Sequence, residues 1–396
     1  MVCFNRRDDL SVESNLLKAK EFSREDIELT SEDRKKLEYT LRVFRGFAAA
    51  TAAHQAQVRP SNTKSKAKEK KQMDIKNLAQ GCLVGCFVGD SAGARLEFLG
   101  RKPDDTELDD ALAMKGGGVF RVAPGQITDD GELALALARA LDGSDEYPIE
   151  RVASNYLRWI SSAPFDVGNA TSMAMDCRVQ VHTPVHMQMA ANARAHNIDS
   201  KANGALMRCS PLGIWTVRLD DHDAVNAALT DAALTHPNAT CQWANAAYIC
   251  AIRHLIVSPG DAQGAFQAAL RALTLDADST AGSTEVRAWL KDAQKGLLPT
   301  FHPMAGFVRI GFTHAFFHLM AESTFEEALR ATLAGGGDTD TNACIVGALI
   351  GALHGIEGIP DSLIPGVVQC DTRLGHARPE WLQAGDVLDL AARLCR

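Results

Sequence analysis

Gly336-Gly337-Asp338-Thr339-Asp340-Thr341-Asn342 runs without a break into Ala343-Cys344-Ile345-Val346-Gly347-Ala348-Leu349-Ile350-Gly351-Ala352-Leu353. The first half sets two carboxylates among hydroxyls. The second half is apolar on every face. It is too short to span a bilayer, which takes about 20 apolar residues as a helix. It therefore reads as a buried helix. Gly347 and Gly351 are four apart and share one helical face, where a second backbone can come close. The same device stands at Gly81, Gly85 and Gly89, in and after the apolar run Leu78 to Val88. We read the two segments as central, close-packed helices that present loops at their ends.

The rest of the chain agrees with an all-α fold. Apolar residues recur with the helical period over Gly131–Leu141, Ile149–Ile160, Ala224–Leu234, Gln242–Ile256, Gly264–Leu273 and Phe325–Leu333. Alternating strands are not evident. There is no β-α-β cadence and no G-x-G-x-x-G after a strand, which excludes a dinucleotide-binding Rossmann domain. Gly116-Gly117-Gly118 reads as a flexible loop. Alanine and leucine are abundant and aromatic residues make up 6%, a balance that favours helices.

The length of 396 residues suits one large domain with an appendage. Residues 1–75 hold 16 Lys/Arg and 12 Asp/Glu, whereas the remainder holds 25 and 37. Arg59 to Lys71 is rich in Pro, Ser, Thr and Lys and reads as a solvated linker. The expected division is a polar helical extension with its Lys-rich linker at 1–74, and a main domain at 75–396. The formal net charge of −8 offers no nucleic-acid footprint. The first residues lack the apolar core of a signal peptide. The ten cysteines include no C-x-x-C pair. Cys82 and Cys86 have a zinc-capable spacing but no matching second pair. A reduced, cytoplasmic protein without membrane spans is the expectation.

A second acidic run, Thr128-Asp129-Asp130, also leads into an alanine-rich helical stretch. Thr and Asp at a helix start are ordinary caps and dipole partners, and for one run alone that reading is preferred. Two such runs with doubled carboxylates suit hard cations such as Mg²⁺, Mn²⁺ or Ca²⁺ rather than zinc. Brought face to face they would crowd four carboxylates together and demand divalent cations.

Further motifs stand in a fixed order: Gly89-Asp90-Ser91-Ala92-Gly93 leading to Glu97-Phe98, then Gly125-Gln126-Ile127-Thr128-Asp129-Asp130, then Pro164-Phe165-Asp166-Val167-Gly168-Asn169. Asn203-Gly204-Ala205-Leu206-Met207-Arg208, Thr235-His236-Pro237 and the Gly336–Asn342 run follow. In this order they resemble the ADP-ribosylglycohydrolase family, whose members include the dinitrogenase reductase-activating glycohydrolases, over about residues 76 to 370. The resemblance implies an all-α domain with two Mg²⁺ ions, Mn²⁺ being an alternative. It implies a hydrolase that releases ADP-ribose from a modified protein or a small ADP-ribose conjugate; a monomer is the expected state.

Carried over residue by residue, the expected metal ligands are Thr128, Asp129, Asp130, Asp338, Asp340 and Thr341. Gly168, Asn169, Asn203, Gly204, Met207 and His236 are expected to hold ADP-ribose. Glu97, Asp129, Asp166 and Asp340 form the expected catalytic set. Asp166 also stands where related arginine-releasing enzymes carry an acid, which favours an arginine-linked substrate over serine-linked or O-acetyl-ADP-ribose. Thr339 and Asp90 read as structural. Arg208 reads either as a phosphate partner or as a stitch between helices. Many family members carry a hydroxyl residue after the Thr-Asp-Asp run; this chain has Gly131 and then Glu132. Two readings from other classes compete. One is a non-catalytic ADP-ribose-binding or structural family member. The other is an all-α metal phosphohydrolase, suggested only by His222-Asp223.

Overall fold

The structure is a computed structural model, and it describes residues 75–177 and 183–396. The helices and linker expected within residues 1–74 lie outside the described residues. Sixteen α-helices follow in order: α1 (Ile75–Ala94), α2 (Asp105–Leu112), α3 (Asp129–Leu141), α4 (Ile149–Ile160), α5 (Asn169–Met175), α6 (Val185–His196), α7 (Ser210–Trp215) and α8 (Asp221–Ala233). Then come α9 (Ala239–Val257), α10 (Ala262–Ala272), α11 (Ala281–Gln294), α12 (Val308–Met320), α13 (Phe325–Leu333), α14 (Thr339–His354), α15 (Ile364–Val368) and α16 (Val387–Leu394). Among the described residues only two isolated β-bridges interrupt this helical pattern. The fold is all-α, as the sequence led us to expect.

The centre is the pair α1 and α14. A methyl group added at Gly85 would overlap the Gly347 carbonyl, and one at Gly347 would overlap the carbonyl of Gly85. The four-residue glycine stripes therefore do bring two backbones into direct contact. The helices run antiparallel: Gly81 meets Gly351 and Gly355, and Gly93 meets Thr339 and Asp340. Leu78, Leu83, Val84, Phe87 and Val88 fill the remaining faces of α1 and are fully buried. Each such side chain contributes about 1.5–3 kcal/mol on leaving water. α14 also packs on α9, α12 and α13, and α1 packs on α7 and α16. This arrangement carries the C-terminal end of α1 to the N-terminal end of α14. That meeting point is where the acidic residues lie.

Several helices begin earlier than the apolar period predicts, because polar caps start them. Asp220 accepts from the N–H of Asp223, Asn238 from Thr240 and Asp261 from Gly264. Ile149–Ile160 and Phe325–Leu333 coincide with the predicted spans. Gly116-Gly117-Gly118 is not a loose loop. All three glycines have positive φ, the Gly117 and Val122 backbones exchange hydrogen bonds of 2.8 and 3.0 Å, and Arg95 donates to the Gly116 carbonyl. No helix among the described residues is long and apolar enough to cross a membrane.

Candidate active site

The N-terminus of α3 is capped from outside its own segment. Thr128 has the extended backbone of an N-cap but makes no capping bond with its side chain. Asp90 on α1 takes that role. Its carboxylate accepts from the Thr128 N–H at 3.0 Å, the Thr128 hydroxyl at 2.8 Å and the Gly131 N–H at 2.8 Å. A side chain at position 131 would press on Asp90 Oδ2. Glycine after the Thr-Asp-Asp run thus lets Asp90 reach the helix end.

A matching arrangement holds the second acidic run. Glu97, just beyond α1, accepts from the Thr339 N–H and from the Thr339 hydroxyl at 3.0 Å. The same hydroxyl reaches the Gly93 carbonyl at 2.9 Å. Thr339 therefore faces α1 and ties the loop down, away from the carboxylates beside it. Asn203 donates to Asp338 Oδ2 at 2.7 Å, and Asn342 donates to the Asp338 carbonyl at 2.6 Å.

Two acid triads result. Asp90, Asp130 and Asp340 bring one carboxylate oxygen each to within 4.8 Å of one another, and Glu97, Asp338 and Asp340 do the same. Asp340 belongs to both. Asp129 belongs to neither and lies toward Asp166 and the N–H of Gly168. Thr341 reaches Asp130 Oδ2 at 3.4 Å. Burial and mutual repulsion push Asp129, Asp130 and Asp340 well above the usual carboxylate range. Burial raises Asp90 and Glu97 to about 7.

The donor chemistry fits divalent cations. The Oδ1 atom of Asp130 is buried with no hydrogen-bond partner. A bare buried carboxylate oxygen is costly unless a cation or donor meets it. The triads are built from oxygen ligands alone, the set preferred by hard cations. Asp90, read from its motif as structural, and Glu97, expected in the catalytic set, both stand inside the triads. Sequence spacing could not show this, since each lies about 40 or more residues from its partners.

The triads lie at a cavity of about 760 Å³, within the usual size range of small-molecule sites. Glu97, Asp129, Asp166, Asp338, Asp340 and Thr341 line its acidic part. Gly168, Asn169, Asn203, Gly204, Met207 and His236 all line it too. Thr128 and Asp130 are buried beside it, in contact with Asp90 and Thr341. A side chain at Gly204 would meet His236 and Thr171, so glycine keeps this wall open.

Arg208 does not face the cavity. Its guanidinium is fully buried and bonds the Tyr156 hydroxyl at 3.0 Å, the Thr235 hydroxyl at 2.8 Å and the Gly204 and Asp231 carbonyls. It stitches helices together and supports the cavity wall. The Thr235 hydroxyl accepts from Arg208 and lies 2.8 Å from His236 Nδ1. If its own proton goes to Nδ1, the His236 ring carries its proton on Nε2, toward Gly204 and the cavity. Burial and the nearby Arg208 charge hold His236 neutral, with a pKa lowered to about 3. Cys86 Sγ lies 3.1 Å from Cys344 Sγ.

The known proteins that this chain resembles agree with the geometry. The ADP-ribosylglycohydrolase family profile matches residues 71–395. The ADP-ribosyl-[dinitrogen reductase] glycohydrolase of Rhodospirillum rubrum is 28% identical over 72% of this chain and 88% of its own length. An ADP-ribosylarginine hydrolase of Pseudomonas putida is 26% identical over 71% of this chain and 72% of its own. A solved chain from an ADP-ribosylglycohydrolase-related protein complex superposes with a TM-score of 0.60 and 25% identity, covering 82% of this chain and 98% of that one. The chain belongs to the ADP-ribosylglycohydrolase family.

Proposed function

We propose that this protein is a monomeric, Mg²⁺-dependent hydrolase that releases ADP-ribose from ADP-ribosylated arginine side chains. The observation that carries the reading is the pair of acid triads sharing Asp340, at a cavity lined by Asn203, Gly204 and His236. Asp90, Asp130, Asp340, Glu97 and Asp338 supply the carboxylates, with Thr128, Asp129 and Thr341 beside them. Two divalent ions held there would neutralise the crowded charge and orient ribose hydroxyls.

The chain's own groups divide the remaining work. Gly204 permits close approach of the pyrophosphate, whose oxygens suit backbone N–H donors. The Nε2–H of His236 is a donor for a ligand oxygen. The loop Gly168-Asn169 flanks the ribose. Asp166 accepts the guanidinium of the leaving arginine as a charge-assisted pair. In the net reaction a water oxygen bonds to the anomeric carbon, the carbon–nitrogen bond breaks, and the guanidine nitrogen takes up a proton. Carboxylates at the cavity wall, Glu97 and Asp129 among them, are placed to take and return that proton. The catalytic unit is residues 75–396.

A panel of arginine-linked, serine-linked and O-acetyl-ADP-ribose, with and without chelator, tests the reading. Free ADP-ribose should appear fastest from the arginine conjugate, disappear with chelator and return with Mg²⁺ or Mn²⁺. Faster release from the serine or O-acetyl conjugate would move the substrate class. Release that ignores chelator would sink the metal requirement.

A further inference from the structure

Arg378 lies in the segment between α15 and α16, outside the cavity, and is almost wholly buried. All five of its side-chain N–H donors are committed. Nε and Nη2 grip the two oxygens of Glu132 at 2.7 and 2.9 Å. Nη1 reaches the carbonyls of Ser162 and Ala163 at 3.0 and 3.3 Å, and Nη2 reaches the Ser162 hydroxyl at 2.7 Å. Glu132 stands two residues after Asp130 on α3 and also receives the Trp159 indole N–H at 2.8 Å. One guanidinium therefore joins the helix that starts with the acidic run to the loop that carries Asp166.

The same segment holds that loop a second time. His376 stacks nearly parallel on Phe165, with ring centroids 4.2 Å apart. The His376 ring is bonded to the Phe120 carbonyl and its backbone N–H to Gln126. Ala163, whose carbonyl is part of the first anchor, sits at φ 54°, a left-handed backbone that is uncommon for a residue other than glycine. Asp166 follows directly. Burial raises its pKa, and its carboxylate neighbours Asp129 and Asp338. Within its own loop Asp166 accepts the Val167 N–H, and it shares a hydrogen bond with Asp129.

We infer that Arg378, clamped by Glu132, is a positioning residue that fixes the Asp166 loop and thereby sets how the leaving group is received. The inference rests on the reading that Asp166 meets the leaving group. Lysine cannot replace Arg378, because three donors on one nitrogen cannot span Glu132, two carbonyls and a hydroxyl.

The test is a double-mutant cycle on the full chain, with Arg378→Lys and Asp166→Ala, read by steady-state kinetics on ADP-ribosyl-arginine and by calorimetry of free ADP-ribose. Arg378→Lys should lower kcat/KM by about tenfold in the parent, and by less than about twofold where Asp166 is already alanine. Free ADP-ribose should bind both proteins within about twofold of the parent, since Arg378 does not line the cavity. If Arg378→Lys fails to fold, Glu132→Gln carries the same cycle with the same expectation. An equal loss in both backgrounds overturns the inference, as does a matching fall in ADP-ribose affinity or no loss at all. A parent that cleaves the serine or O-acetyl conjugate instead would remove only the arginine reading. The cycle would then be run on the cleaved conjugate, and equal losses there overturn the positioning role. A parent that cleaves none of the three overturns both.

Discussion

Asn203 and Asp338, 135 residues apart, share a hydrogen bond of 2.7 Å from amide nitrogen to carboxylate oxygen. The loop expected to meet ADP-ribose and the loop that starts α14 are thus joined side chain to side chain. Asn203 also fixes its own loop, since its backbone N–H donates to the Gly306 carbonyl. Asn203→Ala should leave Asp338 without that donor. A hydrogen bond to a charged group is worth about 1.5–3 kcal/mol, so kcat/KM should fall about ten- to a hundredfold. The calorimetric melting temperature should fall as well, because Asn203 is buried and Asp338 loses its donor. Unchanged kinetics would mean that the two loops are held by other contacts.

Asp340→Asn should cost more than about a hundredfold in turnover, because the residue belongs to both triads. Its effect on stability should run the other way in chelator. Burial and repulsion from Glu97, Asp130 and Asp338 disfavour the charged form. The variant, lacking that charge, should melt no lower than the parent without metal. Adding Mg²⁺ should raise the parent's melting temperature more than the variant's. Near-parental turnover at low Mg²⁺ would remove Asp340 from the ligand set.

Two buried histidines set an acid limit on stability. Burial lowers the pKa values of His236 and His318 to about 3, against 6.5 for a free imidazole. A base with a depressed folded pKa contributes stability that is complete above 6.5. That stability is lost as pH falls from 6.5 toward 3, because the unfolded chain binds the proton first. At pH 5 each ring should have cost about 2 kcal/mol. Urea melts at pH 7 and pH 5 should show a smaller difference for His318→Asn than for the parent. An equal difference would place the acid sensitivity elsewhere.

Gly347→Ala tests the central helix pair. Its new methyl group would meet the backbone of Gly85, which cannot swing aside as a side chain could. A loss of about 1–3 kcal/mol or more is expected from overpacking, read by denaturant unfolding. A neutral result would show that the two helices tolerate a wider separation.

Removal of residues 1–70 should leave a folded and active protein, because all the residues of the candidate site lie between Asp90 and Thr341. Circular dichroism and release of ADP-ribose from the arginine conjugate check this. A soluble, folded truncation without activity would show that the extension completes the site.

Much of the architecture was legible because it depends on near neighbours. The helical period is set by residues three and four apart, so Ile149–Ile160 and Phe325–Leu333 could be read to the residue. The glycine stripes at 81, 85 and 89 and at 347 and 351 announced close helix contact, because only a missing Cβ allows it. Helix starts were less legible where Asp220, Asn238 and Asp261 cap turns that carry few apolar residues.

By itself, then, the sequence determined the all-α class, the central pair of helices and the two acidic runs with their motif order. Only the tertiary structure decided which acids share a site. Asp90 and Glu97 join the triads because α1 runs antiparallel to α14 and ends where α14 begins. Arg378 meets Glu132 across 246 residues of chain because the segment before α16 folds back over the start of α3. Such pairings follow from how helices cross and loops return. No local periodicity encodes them.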